Sequence, residues 1–148
     1  PLIEKANHPV AAKDKMSIER LNEIDEHIFS LLRDRGAHID KRYLCVHHPN
    51  GTIAELAIEC ECRKPGIGMF KQAESELGID IAKSVFVGDN VSDMRAGENA
   101  GCETIFFSHT DDIPEKVAQK SEYLANEAKH VSRSHAETLT LIQQLLTI

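Results

Sequence analysis

Residues 84–107, SVFVGDNVSDMRAGENAGCETIFF, hold the pattern that decides the fold of this chain. A turn at Gly88-Asp89-Asn90 separates an apolar run over 84–87 from a helical pattern over 91–100, and a second apolar run covers 104–107. Short apolar runs of this kind are typical of strands that are buried on both faces. A strand, a helix and a second strand in this order predict a parallel sheet, with functional groups at the carboxyl ends of its strands.

The rest of the chain extends this alternation of strands and helices. The further predicted elements are a strand remnant within 1–10, helices over 18–34, 68–77, 113–129 and 136–146, and a strand around 43–46. In the last helix, Leu139, Ile142 and Leu146 are expected to face inward. The pattern predicts one α/β domain over residues 1–148, with a Rossmann-like parallel sheet flanked by helices.

The composition of the chain limits which kinds of molecule are expected to bind to it. The chain has 148 residues and a formal net charge of -7, which on average repels a polyanion, so nucleic acid is not expected to bind. It contains no apolar run long enough to span a membrane and no secretory pattern near residue 1, so a cytoplasmic location is expected. Small anionic substrates remain compatible with this charge, because a local pair of cations can hold one phosphate.

Three of the four cysteines stand beside a histidine with metal-ligand spacing. Cys45-x-His47 and Cys60-x-Cys62 are separated by twelve residues, and the intervening Pro49-Asn50-Gly51 can form a turn that joins two extended arms. Three thiolates and one imidazole fill a tetrahedral site and leave no position for water. The pattern predicts a zinc-binding loop over residues 45–62, in which zinc is structural and replaces a missing apolar core.

The turn after the strand over 84–87 carries a carboxylate, Asp89, with Asp93 one helical turn later. Hard oxygen ligands at the end of a strand suit Mg²⁺, which keeps several waters and shares a substrate phosphate. The alternative is that Asp89 caps the following helix and that Asp93 is a favourable charge in its first turn.

Arg63 and Lys64 directly follow the last cysteine of the loop. A loop ordered by zinc would hold both cations in place, where Arg63 could fork onto a phosphate or sugar hydroxyls and Lys64 could neutralise charge. Taken without the neighbouring motifs, the two side chains would be interpreted as solvated surface charges.

Together, CVHHPNG, CECRKPGIGM and VFVGDNVSDMRAGENAG resemble the haloacid dehalogenase superfamily, in the branch of the D-glycero-D-manno-heptose 1,7-bisphosphate 7-phosphatases and histidinol phosphatases. The resemblance covers residues 43–107 and implies that Cys45, His47, Cys60 and Cys62 hold structural zinc. It further implies that Lys64 steadies the phosphate, that Asp89 binds Mg²⁺ and that Arg63 contacts the sugar. Asn90 stands where this branch usually has a lysine that contacts substrate, so the resemblance implies that Asn90 contacts substrate.

In this superfamily, the nucleophile is the first aspartate of a DxDGT-like segment on the first strand of the sheet. The 148 residues contain no Asp-x-Asp sequence, and Ala6-Asn7-His8-Pro9 stands roughly where the branch has its second motif. The expectation is therefore that the first strand is absent, and that this chain alone, with Lys64 and Asp89 but no nucleophile, turns over little substrate.

Two hypotheses follow from these observations. In the first, which is favoured, the chain is an incomplete phosphatase whose full-length parent hydrolyses the 7-phosphate of a heptose bisphosphate, with histidinol phosphate as an alternative substrate. In the second, it is a non-catalytic, zinc-ordered module for binding sugar phosphates or other proteins, and self-association through an exposed sheet edge is possible. Whether the chain is an enzyme stays open at this point.

Overall fold

The computed structural model of this chain describes residues 1–108 and 114–146. The elements are, in order, β1 Ile3–Asn7, α1 Ile18–Arg33, β2 Lys41–Cys45, α2 Gly68–Leu77, β3 Val85–Gly88, α3 Val91–Ala100, β4 Glu103–Phe107, α4 Pro114–Asn126, β5 His130–Ser132 and α5 His135–Leu146. The chain divides into two compact units, Pro1–Arg63 and Lys64–Ile148. Across the described residues, no helix has both the length and the apolar composition needed to cross a membrane.

The first unit is a β-α-β arrangement. β1 and β2 pair in parallel, from Ile3 beside Lys41 to Asn7 beside Cys45. Helix α1 connects them and begins at Ser17, whose side chain accepts a hydrogen bond from the Arg20 amide at 3.1 Å. The pairing places Cys45, the first residue of the predicted zinc loop, at the carboxyl end of β2.

A buried ion pair joins α1 to β2. Asp25 lies on the buried side of α1 and pairs with Arg42 of β2, which also donates to the Asn22 side chain at 3.0 Å. The apolar spacing of α1 did not predict a charged residue on this face. A charge is tolerated there because its partner is supplied by a strand that the helix itself does not specify.

The second unit is a three-stranded parallel sheet in the order β3-β4-β5. Its buried apolar side chains include the following two clusters. One contains Phe70, Ile81, Ala96 and Cys102, and the other contains Met94, Phe106 and Tyr123. Helices α2 and α3 end at Gly78 and Gly101, whose φ angles of 61° and 89° are left-handed, as expected for residues that close helices.

The predicted fold class is confirmed, because both sheets are parallel and their strands alternate with helices. Strand β5 was missed: it has three residues and no alternating apolar pattern that would distinguish it from a turn. The helix predicted over 113–129 is observed over Pro114–Asn126, and residue 113 lies outside the described part of the chain. The single-domain assignment stays a prediction.

The predicted buried face of α5 was wrong at two positions. Leu139 and Leu146 are 56% and 58% exposed, while Leu141, Ile142 and Leu145 are half-buried. The helix contains two overlapping apolar stripes, and its packing against β5 selects the other one. A 2.8 Å hydrogen bond from the Thr138 hydroxyl to the Ser132 hydroxyl of β5 fixes the orientation of α5 about its own axis.

Candidate metal centre and acidic turn

The four predicted zinc ligands meet in the first unit. One donor atom from each of Cys45, His47, Cys60 and Cys62 lies within 4.8 Å of the others. The sulfur of Cys62 lies 3.2 Å from that of Cys45 and 3.0 Å from that of Cys60, and 3.4 Å from Nδ1 of His47. Cys45 is fully buried and the other three side chains are half-buried.

These distances fit a tetrahedral metal site. A disulfide would require sulfur atoms about 2.05 Å apart, and none of the four cysteines is in a disulfide. Zinc bonds of about 2.3 Å to sulfur imply tetrahedral edges of about 3.8 Å, slightly longer than the observed separations. Three sulfurs and one ring nitrogen are also the donor set that zinc prefers, so these residues fit that ion.

The close approach of the thiols shifts their protonation. Burial raises the pKa of the Cys45 and Cys62 thiols. Burial acts in the same direction on Cys60, but hydrogen bonds from Cys62, His47 and Cys45 lower the pKa of this thiol to about 7. A cluster in which one thiol has a lowered pKa is suited to a cation, which binds thiolates and displaces their protons.

The turn of the metal loop is anchored on the segment after β1. The carbonyl of Ala12 accepts hydrogen bonds from the amides of Thr52 at 2.6 Å and Ile53 at 3.1 Å. Gly51 lies so close that an added Cβ would approach this carbonyl oxygen to 2.8 Å. The sequence predicted the turn at Gly51 but not its anchor, because a backbone carbonyl forty residues away has no sequence signal.

Arg63 lies at the end of this loop. Its guanidinium Nη1 donates to the His47 carbonyl at 3.2 Å, and the residue is half-buried. The bond connects one arm of the loop to the residue that follows the other arm. Arg63 is therefore oriented by the loop, as the sequence suggested for an ordered loop, and the alternative of a fully solvated surface charge does not apply to it.

In the second unit, Asp89 follows the carboxyl end of β3, and Asn90 is the N-cap residue of α3. The Asn90 amide nitrogen Nδ2 donates to Oδ1 of Asp89 at 2.8 Å. The backbone N–H of Asn90 donates to Oδ2 of Asp93 at 3.1 Å. The alternative in which Asp89 caps the helix is wrong, because Asn90 occupies that position, whereas Asp93 does lie in the first turn.

Lys64 and Asp93 form a buried ion pair. Nζ of Lys64 lies 2.6 Å from Oδ1 of Asp93, and each side chain is 8% exposed. Lys64 also lies over the Phe86 ring, 5.8 Å from its centroid. Gly88 packs against Asp93 so closely that an added Cβ would come within 2.4 Å of the Asp93 Cβ. Lys64 is thus a fixed cation rather than a mobile surface charge.

The acidic turn supplies fewer potential metal ligands than the Cys/His cluster. Within residues 1–108 and 114–146, the Cys/His cluster is the one group of three or more potential ligands whose atoms come this close together. Because Asp93 is paired with Lys64, the carboxylate that the turn can supply to a metal ion is that of Asp89. A single carboxylate fits Mg²⁺, which commonly binds one or two carboxylates and completes its shell with waters and substrate phosphate.

Comparison with known proteins places this geometry in a family. A family model described as HAD-hydrolase-like matches residues 61–134, half of the 148-residue chain. The matched region begins within the metal loop and includes the Lys64–Asp93 pair and the whole acidic turn. The chain belongs to the HAD-hydrolase-like family, as the resemblance of its motifs predicted.

Individual relatives carry names that are more specific than the description of the family model. The chain is 41% identical over 103 residues to the D-glycero-beta-D-manno-heptose-1,7-bisphosphate 7-phosphatase of Yersinia pestis, covering 70% of this chain and 55% of the relative. Its identity to the enzyme of the same name from Vibrio cholerae is 36% over 124 residues, covering 84% and 65%. The chain therefore spans between half and two thirds of the length of these curated relatives.

A solved structure gives the same likeness in three dimensions. The crystal structure of D,D-heptose 1,7-bisphosphate phosphatase from B. bronchiseptica, complexed with magnesium and phosphate, superposes with a TM-score of 0.76 at 25% identity. The superposition covers 96% of this chain and 73% of that one.

Proposed function

We propose that this chain forms part of a phosphatase that removes the 7-phosphate of D-glycero-D-manno-heptose 1,7-bisphosphate. The observation that carries this proposal is the buried Lys64–Asp93 pair next to the acidic turn at Asp89, inside the region that the family model matches. Relatives named as 7-phosphatases of this heptose support the choice of substrate. A cytoplasmic location is part of the proposal.

The Cys/His cluster has a structural role in this proposal. Cys45, His47, Cys60 and Cys62 would hold Zn²⁺ with no open position, so the ion would order the loop without activating water. The loop in turn fixes Arg63 through the His47 carbonyl. The remaining donors of the Arg63 guanidinium can then fork onto sugar hydroxyls or a phosphate oxygen at little entropic cost.

Lys64 is the proposed phosphate-binding cation. Its ammonium is held by Asp93 at 2.6 Å, and Asp93 is itself held by the backbone of Asn90. A cation fixed before substrate arrives stabilises the charge of a transferring phosphoryl group without reorganisation during the reaction. The same ammonium lies over the Phe86 ring, 5.8 Å from its centroid, which further fixes its position.

Asp89 is the proposed ligand for Mg²⁺. When bound, this ion would neutralise phosphate charge and help align the phosphoryl group with its nucleophile. The position of Asp89 after a buried strand, and the magnesium and phosphate bound to the B. bronchiseptica relative, support the assignment. Asn90 was predicted to contact substrate, and that prediction stays untested.

The nucleophile is the part of the reaction that these residues do not supply. The 148 residues contain no Asp-x-Asp sequence, whereas the motif resemblance implies an aspartate nucleophile on a separate strand. We expect this polypeptide by itself to release phosphate at least 10⁴-fold more slowly than a chain with that strand, on the order of the loss seen when other enzymes lose a nucleophile.

The test is to restore that strand. The chain is extended at its N-terminus with a strand that carries an Asp-x-Asp-Gly-Thr segment, and phosphate release from the heptose bisphosphate is measured with and without Mg²⁺. The proposal predicts release that depends on Mg²⁺. Replacing the first aspartate of the added segment by Asn is the matched control, and it should abolish release while leaving the fold intact.

The same assay separates the alternatives. An extended chain that folds and binds Mg²⁺ but releases no phosphate would instead favour the non-catalytic module for binding sugar phosphates. Faster release from histidinol phosphate than from the heptose bisphosphate would replace the proposed substrate.

Two substitutions in the extended chain test the proposed site residues. Asp89→Asn should reduce release because it weakens cation binding, and Lys64→Met should reduce release because it removes the cation that binds the phosphate.

A further inference from the structure

Asn90 contacts both carboxylates of the acidic turn. Its side-chain amide donates to Oδ1 of Asp89 at 2.8 Å, and its backbone N–H donates to Oδ2 of Asp93 at 3.1 Å. Oδ1 of Asp93 is the atom that holds Lys64 at 2.6 Å. A continuous chain of hydrogen bonds and one ion pair therefore runs from Asp89 through Asn90 and Asp93 to Lys64.

The amide of Asn90 restricts how the Asp89 carboxylate can turn. With Oδ1 engaged by a neutral donor, the carboxylate keeps its full negative charge, and Oδ2 lies outside this hydrogen bond. A cationic donor at the same place would compensate that charge and compete with the cation, and a serine hydroxyl would be too short to reach along the same path. Hydrogen bonds that orient a ligating group commonly contribute 10–100-fold to metal affinity.

The geometry points to Asn90 as a positioning residue, which holds the Asp89 carboxylate in the orientation that binds Mg²⁺ and keeps it in register with the Lys64 ammonium. This inference rests on the proposed function, since it takes Asp89 to be the magnesium ligand. It assigns the Asn90 side chain to the metal carboxylate, whereas its position in the motif suggested a contact with substrate.

A simpler role for Asn90 is to cap α3, a position where asparagine is common for reasons unrelated to any metal. The two roles make different demands on the side chain. A serine or aspartate at position 90 can still cap the helix, but neither can donate an amide hydrogen to Asp89. Asn90→Ser therefore separates capping from the positioning of the carboxylate.

The experiment is a titration of the 148-residue chain with Mg²⁺, followed by NMR through the backbone amide signals of Gly88, Asp89 and Asn90. NMR detects weak binding, so the measurement does not require catalysis. We expect Asn90→Ser and Asn90→Ala both to raise the midpoint of the titration by roughly 10–100-fold. Thermal unfolding should be closer to that of the parent chain for Asn90→Ser than for Asn90→Ala, because the serine retains the cap.

The matched control is Asn126→Ser. Asn126 also donates through its side-chain amide, to the Glu122 carbonyl at 2.9 Å, but it is the last residue of α4 and is not part of the acidic turn. This substitution should leave the magnesium midpoint unchanged. Asp89→Ala should abolish the response of the turn.

The outcomes distinguish the inference from the function on which it rests. If the parent chain responds to Mg²⁺ through Asp89 and Asn90→Ser has the same midpoint, Asn90 is only a cap and the inference is overturned, while the proposed function stands. If the parent shows no response at Gly88, Asp89 and Asn90, the magnesium assignment of Asp89 and the inference are both overturned.

Discussion

The two candidate metal regions of this chain are built in opposite ways. The Cys/His cluster gathers four soft donors from two short segments of one loop, Cys45 to His47 and Cys60 to Cys62. The acidic turn instead offers the single carboxylate of Asp89 and engages its neighbour Asp93 with Lys64. The first region can satisfy a metal by itself, whereas the second leaves most of the coordination shell to water and substrate.

This difference indicates what each ion contributes. An ion in a closed tetrahedral site would stabilise the loop that surrounds it, so the ion of the cluster would contribute to folding. An open site with a fixed cation nearby contributes little to folding and is suited to a charged ligand that comes and goes. The comparison predicts that substitutions in the cluster change metal content and stability together, whereas those in the turn change stability through the ion pair.

The largest effect is expected from the cluster. Cys45→Ser should reduce bound zinc from one per chain to none, with loss of on the order of 10 kcal/mol of apparent binding free energy. Metal content is measured by mass spectrometry of the purified chain, and stability by thermal unfolding with and without a chelator. Cys102→Ser is the matched control, because Cys102 is also buried but lies in the apolar cluster of the second unit. Equal zinc content in both variants would contradict the assignment.

A smaller effect is expected from the acidic turn. Lys64→Met leaves the Asp93 carboxylate buried without its cation and should lower the free energy of unfolding by about 3–5 kcal/mol. Urea unfolding measures this loss. Lys83→Met is the control, because the Lys83–Asp80 pair is 3.2 Å long with side chains 84% and 52% exposed, and its removal should cost about 0–1 kcal/mol.

A double substitution tests whether that loss belongs to the pair. Asp93→Asn removes the charge but keeps an oxygen that can accept the Asn90 N–H. When it is combined with Lys64→Met, the total loss should fall below the sum of the two single losses by about 0.5–3 kcal/mol. Simple additivity would mean that Lys64 and Asp93 stabilise the unit through other contacts.

The smallest effects are expected from one glycine in each region. An alanine at Gly88 would press on Asp93, and one at Gly51 would press on the Ala12 carbonyl, so each should cost about 1–3 kcal/mol. The two variants serve as controls for each other. Gly51→Ala should weaken zinc binding and leave the response to Mg²⁺ unchanged, and Gly88→Ala should do the reverse, as measured by metal titration. The same metal response in both would show that the regions are not independent.

The metal cluster was predictable because its ligands are local. The ligands stand in one Cys-x-His segment and one Cys-x-Cys segment, which are joined by a turn. This spacing was sufficient to predict which four side chains lie together. The position of Asp89 was predictable for a related reason, since it directly follows a strand whose apolar pattern is clear. The span of α3 was also predicted correctly, from Val91 to Ala100, and only the alternative in which Asp89 caps this helix was wrong, because Asn90 is its N-cap.

Features that depend on distant segments were not predictable. The Asp25–Arg42 pair and the Ala12 anchor of the loop each join residues from separate elements. The buried face of α5 is determined by its contact with β5, a three-residue strand that is too short to be predicted from the sequence. None of these contacts leaves a periodic or local mark in the chain.

The amino-acid sequence by itself determined the alternation of strands and helices, the parallel class of the sheet and the four donors of the metal cluster. These follow from local forces: apolar periodicity, turn chemistry and the spacing of ligands along one loop. Tertiary structure alone decided that Lys64 is paired with Asp93 and that Ala12 anchors the loop at Gly51. These choices depend on which side chains meet after packing, where burial makes an unpaired charge or carbonyl costly and each partner must be found elsewhere in the fold.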